Sequence, residues 1–253
     1  IFDPSKIRIF NTFEISQFIR YIVALNWMRF CMQKMKKEIL PTQQFYIGDF
    51  GCSHSQLYRY WKNNCNFFGR PHIDYCGYDA SEKRINDGRK TLTPRKGDAL
   101  NYFLVDLSSK FTAQYYHDII VCMETIEHLP KEKVPILLKN IYRALPSHGY
   151  AILSSPNPLK EKGELWAWGD SPKRDHVYEW SFDEIQKPLA RAGLKIIAKC
   201  GIGPRNIFRT NILHTKQRKR LQKYLPYSIV GNVLCLRDIN QCRQWMVLLQ
   251  KEN

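Results

Sequence analysis

Residues 46–55 read YIGDFGCSHS: a short apolar run, an acid, and a glycine-centred turn that leads into the helical stretch SQLYRYWKNN at 55–64. The strand over 45–50 therefore ends in a carboxylate beside a turn of small residues. That arrangement suits a nucleoside ligand bound at the carboxyl ends of parallel strands. Gly51 lets the backbone approach a ligand closely. Asp49 stands where a carboxylate can orient a polar or cationic group.

Outward from this turn, strand-like and helical patterns alternate. HIDYCGYD (72–79), NYFLVDL (101–107), HDIIVCM (117–123), GYAILSSPN (149–157), KIIAKCGIG and QWMVLLQKE (244–252) read as strands. SEKRINDGRK, KEKVPILLKNIYRAL (131–145) and SFDEIQKPLARAGL read as helices, the last closed by Gly193. Such alternation predicts a mostly parallel sheet with helices on both faces. Asn11 or Thr12 caps a long helix predicted to end near Pro41. The chain divides into a helical extension (1–42), an α/β core (43–203 and 242–253) and an insertion (204–241). The second strand ends at Asp79 and Ala80, where an acid can accept from two ribose hydroxyls. The third ends near Asp106 and Leu107, where an acid can read an adenine amino group.

The formal net charge is +16, which attracts polyanions and makes RNA a candidate partner. Within the insertion, Arg205, Arg209, Lys216, Arg218, Lys219 and Arg220 stand in a stretch without acids, either a phosphate-binding patch or a solvated helix face. Eight cysteines without a CxxC pair argue for reduced thiols and a cytoplasmic setting, against a zinc knuckle or a disulfide scaffold. No signal-peptide pattern opens the sequence. The most apolar segment is broken by Arg20 and Arg29, so it reads as a helix packed on the domain. A membrane span needs roughly 20 largely uncharged residues.

Residues 123–128, METIEH, follow the fourth apolar run and set Glu124, Glu127 and His128 at i, i+3, i+4 spacing. Two carboxylates and an imidazole suit magnesium, manganese or cobalt better than structural zinc. The alternative makes His128 a lone general base while the glutamates cap the next helix.

These stretches together resemble the class I S-adenosylmethionine-dependent methyltransferases. The family's first motif is acid-x-Gly-x-Gly-x-Gly; here Asp49, Gly51, Ser53 and Ser55 fill it, with serine at the second and third glycine positions. YDAS, VDL, METIEHL, ALPSHGYAILSSPNP and FDEIQKPLARAGLKII continue the likeness, which covers residues 45–200 and 243–252. It implies a Rossmann-like seven-stranded sheet with an antiparallel last strand, and S-adenosylmethionine bound by Asp49, Gly51, Ser53, Asp79, Ala80, Asp106 and Leu107. No Asp-Pro-Pro-Tyr, Asn-Pro-Pro-Tyr or Pro-Cys follows the fourth strand, which disfavours base-nitrogen and cytosine-carbon chemistry and leaves oxygen as the expected acceptor.

With RDHVYEWSFDE at 174–184, the pattern is similar to the small-RNA 3′-terminal 2′-O-methyltransferases. That likeness implies a divalent ion, magnesium or manganese, on Glu124, Glu127, His128 and His176, gripping a terminal ribose. Ubiquinone-pathway O-methyltransferases share the first part of the pattern and act on phenols, which keeps a small-molecule acceptor open. Trp166, Trp168 and Tyr178 are candidates for base stacking or for a packed lid. A binding module whose serine-bearing turn no longer holds cofactor is a third reading.

Overall fold

The computed structural model describes residues 12–36, 40, 42–68, 71–161, 164–166, 176–204, 239 and 242–252. In chain order the strands are β1 (Gln44–Phe50), β2 (His72–Asp79), β3 (Ala99–Leu104), β4 (Ile119–Met123), β5 (Tyr150–Pro156), β6 (Leu159–Glu161), β7 (Glu164–Trp166), β8 (Leu194–Pro204) and β9 (Cys242–Lys251). The helices are α1 (Thr12–Met35), α2 (Gln56–Asn64), α3 (Glu82–Thr91), α4 (Val134–Ala144) and α5 (Phe182–Arg191). Seven strands form one sheet in the order β3-β2-β1-β4-β5-β9-β8, and β6 and β7 form a separate hairpin. β1 to β5 pair in parallel; β9 runs antiparallel to both β5 and β8. This is the expected Rossmann-like sheet with its antiparallel last strand.

The chain winds outward from β1 through β2 to β3, then returns to β4 on the other side of β1. The reversal opens a crevice beyond the carboxyl ends of these strands. β5 is buried along its whole length, as a strand covered on both faces must be. One core layer joins Leu25, Met28, Leu57, Trp61 and Ile85 of α1, α2 and α3 to the sheet. The opposite layer joins Leu137, Ile141, Ile185 and Leu189 of α4 and α5 to Trp245 and Val247 of β9. Ala24, Leu25, Met28, Cys31 and Met32 are fully buried at helical spacing, so α1 packs on the domain. No helix among the described residues is long and apolar enough to cross a membrane.

Several boundaries differ from the sequence expectation. α1 stops at Met35, short of Pro41. β3 stops at Leu104 because Asp106 turns the chain: its carboxylate takes the Ser108 amide at 2.8 Å. β4 starts at Ile119, since the His117 amide leaves the ladder for the Ala144 carbonyl. β9 begins at Cys242, two residues before the expected start, and the hairpin β6–β7 lies where a polar loop was expected. α5 starts on a capping box, Ser181 and Glu184, and Gly193 follows it in the left-handed conformation. The cysteines at 31, 52, 65, 76, 122, 200 and 242 are buried free thiols.

Candidate functional site

A cavity of about 380 Å³ opens at the crevice. Asp49, Gly51, Ser53, Asp79, Ala80, Asp106 and Leu107 all line it, so every residue named for the cofactor reaches one space. Gln17, Arg20 and Tyr21 of α1 form another wall, and Glu124, Thr125 and His128 another. The sequence left open whether α1 lids the cofactor, forms an interface or touches a membrane, and named none of these three residues for the cavity.

The turn after β1 is held tightly. Gly51 has φ 81°, and a Cβ there would lie 2.2 Å from Thr125 Oγ1. Ser53 and Ser55 take φ 48° and 56°, left-handed values at the positions where the related motif carries glycine. The Gly51 and Cys52 amides donate to the Tyr78 carbonyl, the Ser53 amide to Asp79 Oδ2, and the Ser55 amide to the Cys52 carbonyl.

The three strand-end acids have distinct environments. Asp49 is buried and accepts from the Tyr75 hydroxyl at 2.6 Å. Burial pushes its carboxyl up to about 7; the Tyr75 bond works against this and the Asp79 charge adds to it. Asp79 is buried and takes the Ser53 amide on one oxygen at 2.9 Å and the Ser81 amide on the other at 2.8 Å. Each oxygen keeps a lone pair for a ligand hydroxyl. Asp106 is exposed, and bonds from Ser108 hold its carboxyl below the usual range.

Past β4, Glu124 sits at φ 52° and Ile126–His128 make one 3₁₀ turn. The turn buries Glu127 and leaves His128 exposed at the cavity rim. Its carbonyl then anchors the later loop: the Val177 and Tyr178 amides donate to Glu127 O at 2.7 and 3.1 Å. This brings His176 beside His128, ring centroids 5.0 Å apart. One ligand atom from each of Glu127, His128 and His176 lies within 4.8 Å of the others.

Glu127 Oε2 accepts from the Ser155 hydroxyl at 3.2 Å. Burial, then the charge of Glu124, raises its carboxyl well above the ordinary range. His176 Nδ1 lies 2.7 Å from Glu179 Oε1. A buried carboxylate facing two imidazoles, one oriented by a second carboxylate, is a donor set that fits a divalent cation.

Glu124 stands apart from this trio. Its carboxylate meets Arg20 Nη1 at 3.1 Å, the Gln244 amide nitrogen at 2.8 Å and the Ser154 hydroxyl at 3.0 Å. Neither glutamate caps α4, whose N-cap is Lys133 with no side-chain cap bond. Tyr178 does not line the cavity: its hydroxyl lies between Lys131 at 2.7 Å and Glu184 at 2.9 Å, and Lys131 Nζ covers its ring. Trp166 ends β7, and its side chain is outside the described residues, as are Arg205, Arg209, Lys216, Arg218, Lys219 and Arg220.

Sequence reasoning missed Arg20, Ser154, Ser155, Glu179 and Gln244. Glu179 left a signal, three residues after His176 and between two aromatics, and the two serines stood in a quoted motif without a role being read for them. Gln244 depends on strand register, because Pro156 pairs with Gln244 and brings β9 toward the end of β5, and Arg20 reaches the site through the packing of α1.

A family model for a methyltransferase domain matches residues 47–199. A small RNA 2′-O-methyltransferase from Tetrahymena thermophila is 28% identical over 129 residues, 44% of this chain and 29% of that protein. A ubiquinone biosynthesis O-methyltransferase from Rhizobium rhizogenes is 26% identical over 181 residues, 66% of each. The crystal structure of magnesium protoporphyrin IX methyltransferase from Synechocystis PCC 6803 with bound SAH has the same fold, with TM-score 0.57 at 12% identity over 94% of this chain and 84% of that one. With the sheet order and the acids at three strand ends, the domain match places the chain in the methyltransferase-domain family, as an S-adenosylmethionine-dependent enzyme.

Proposed function

We propose that the chain methylates a ribose 2′-hydroxyl of RNA with the help of a divalent cation. The observation that carries this reading is the convergence of Glu127, His128 and His176, with His128 on the wall of the cavity. A magnesium or manganese ion on these residues, with Glu124 as a fourth donor, would act as a Lewis acid that lowers the pKa of the acceptor hydroxyl. The net charge of +16 supports a polyanionic substrate.

On this reading Asp79 accepts from the ribose hydroxyls of S-adenosylmethionine, and Asp106 from its adenine amino group. Asp49 faces the ammonium of its amino-acid end, and the Gly51 turn admits the chain between them. Methyl transfer forms a carbon–oxygen bond as the carbon–sulfur bond breaks, S-adenosylhomocysteine leaves, and the acceptor proton passes to water at the exposed rim beside His128. The enzyme's part is alignment and removal of that proton. Glu127 and His128 hold the acceptor side in place, and Glu179 fixes the ring of His176.

A second reading, methylation of a small phenolic or sugar hydroxyl with His128 as base, is favoured by the 181-residue match to the ubiquinone-pathway enzyme. Transfer of labelled methyl to a short RNA in manganese separates the two. Label is expected on RNA with a 3′-terminal 2′-hydroxyl and not on its 2′-deoxy counterpart, and chelator should abolish it. No label on any RNA, with cofactor still bound, would favour the small acceptor.

A further inference from the structure

Arg20 stands where the two halves of the site meet. It is 5% exposed, it lines the cavity, and its Nη1 pairs with Glu124, while its Nε has no hydrogen-bond partner. A buried guanidinium with a spare N–H is incompletely satisfied, and its planar fork of donors matches a second carboxylate. S-adenosylmethionine carries one at its amino-acid end. Among the described residues, the other guanidinium on the cavity wall, Arg84, is exposed on α3 near Asp79, the ribose end. The amides of Gly51, Cys52, Ser53 and Ser55 are already engaged within the protein, so they do not supply the anion site. Among the described residues, Arg20 is the buried guanidinium that can serve as the counter-charge.

Glu124 is shared between the same two halves. Arg20 is the charged partner that holds it; the other two, Ser154 and Gln244, are neutral. Its backbone lies in the left-handed region at φ 52°, a conformation that costs energy for a residue with a side chain and persists where surrounding contacts enforce it. We propose that Arg20 couples the two binding events: the cofactor carboxylate engages Arg20, the ion pair to Glu124 loosens, and Glu124 completes the set formed by Glu127, His128 and His176. Cofactor occupancy thereby strengthens cation binding at the acceptor site. The inference rests on the reading of that trio as a cation site.

Linkage makes the effect reciprocal: manganese must tighten the cofactor by the factor with which the cofactor tightens manganese. The test measures manganese affinity of the full chain by calorimetry, alone, with S-adenosylhomocysteine, and with 5′-methylthioadenosine, which lacks the amino-acid end. The expected result is about tenfold tighter manganese binding with S-adenosylhomocysteine and no shift with 5′-methylthioadenosine. Arg20→Gln should bind manganese tightly without cofactor and show no further shift; Glu124→Gln should bind weakly in both conditions. The reciprocal titration in the unsubstituted protein needs no variant to fold. Manganese binding that ignores S-adenosylhomocysteine, with the latter bound, overturns the coupling alone. No manganese binding under any condition overturns the cation-site reading, and the coupling with it.

Discussion

Asp49 joins deep burial to one strong donor, Tyr75, and that combination sets its response to pH. Its carboxyl is raised to about 7, so burial favours the protonated form. The stability this group supports is therefore complete below its unfolded value near 4 and is lost as pH rises through 7. A cationic ligand group reverses the preference, because it needs the carboxylate. Affinity for S-adenosylmethionine should rise by roughly tenfold between pH 5.5 and 7.5. Asp49→Asn should bind weakly with a flat profile; calorimetry across that range checks both, and a flat profile in the unsubstituted protein would remove Asp49 from the ligand. Gly51 makes a steric prediction. A Cβ would add left-handed strain and meet Thr125, whose hydroxyl is held between the Phe50 and Met123 carbonyls. Gly51→Ala should cost about 2–4 kcal/mol in urea unfolding and abolish cofactor binding. Both positions were legible in YIGDFGCSHS, since a carboxylate and a glycine at a strand end have few other uses there. The serines at 53 and 55 show that the turn holds its left-handed conformation without the related motif's later glycines.

At the scale of elements, a 3₁₀ turn and a loop build the cluster of Glu127, His128 and His176 together. Two amides of the loop grip one carbonyl of the turn, and Glu179 then locks His176. Removing that carboxylate's charge should leave α5 intact, because its capping box is formed by Ser181 and Glu184. Glu179→Gln is therefore expected to weaken manganese binding about 10–100-fold with an unchanged melting temperature. An equal loss of stability would mark Glu179 as structural. The members of the Glu127, His128 and His176 cluster stood out in the sequence because METIEH and DHVYEW set acids and histidines at close local spacing. Arg20 did not: within the apolar pattern of α1 it reads as an interruption, and only the tertiary fold brings it to Glu124. The serines of β5 were quoted as part of a motif, but their bonds to the two glutamates follow from strand pairing, which local pattern does not encode.

At the scale of the whole molecule, the excess of basic residues makes a prediction about salt. Binding of single-stranded RNA should weaken linearly in log salt, by about 0.7 per phosphate contacted. Replacing Lys216, Arg218, Lys219 and Arg220 together by alanine should flatten that slope by about 3 while leaving S-adenosylmethionine affinity unchanged. An unaltered slope would show that this run meets no phosphate. The order in which the parts of the site are made carries a different consequence. α1 supplies Arg20, yet it packs on β8, where Ser16 lies over Gly203; Glu124 is held from β9 by Gln244. α1 also meets α2, β4 and β5, so during synthesis it has a surface to dock against once β5 has emerged, and its contacts with β8 form afterwards. A nascent chain halted before Cys242 has β1 to β5 in hand but lacks the Gln244 amide that holds Glu124, so that wall of the pocket is completed only when β9 joins the sheet.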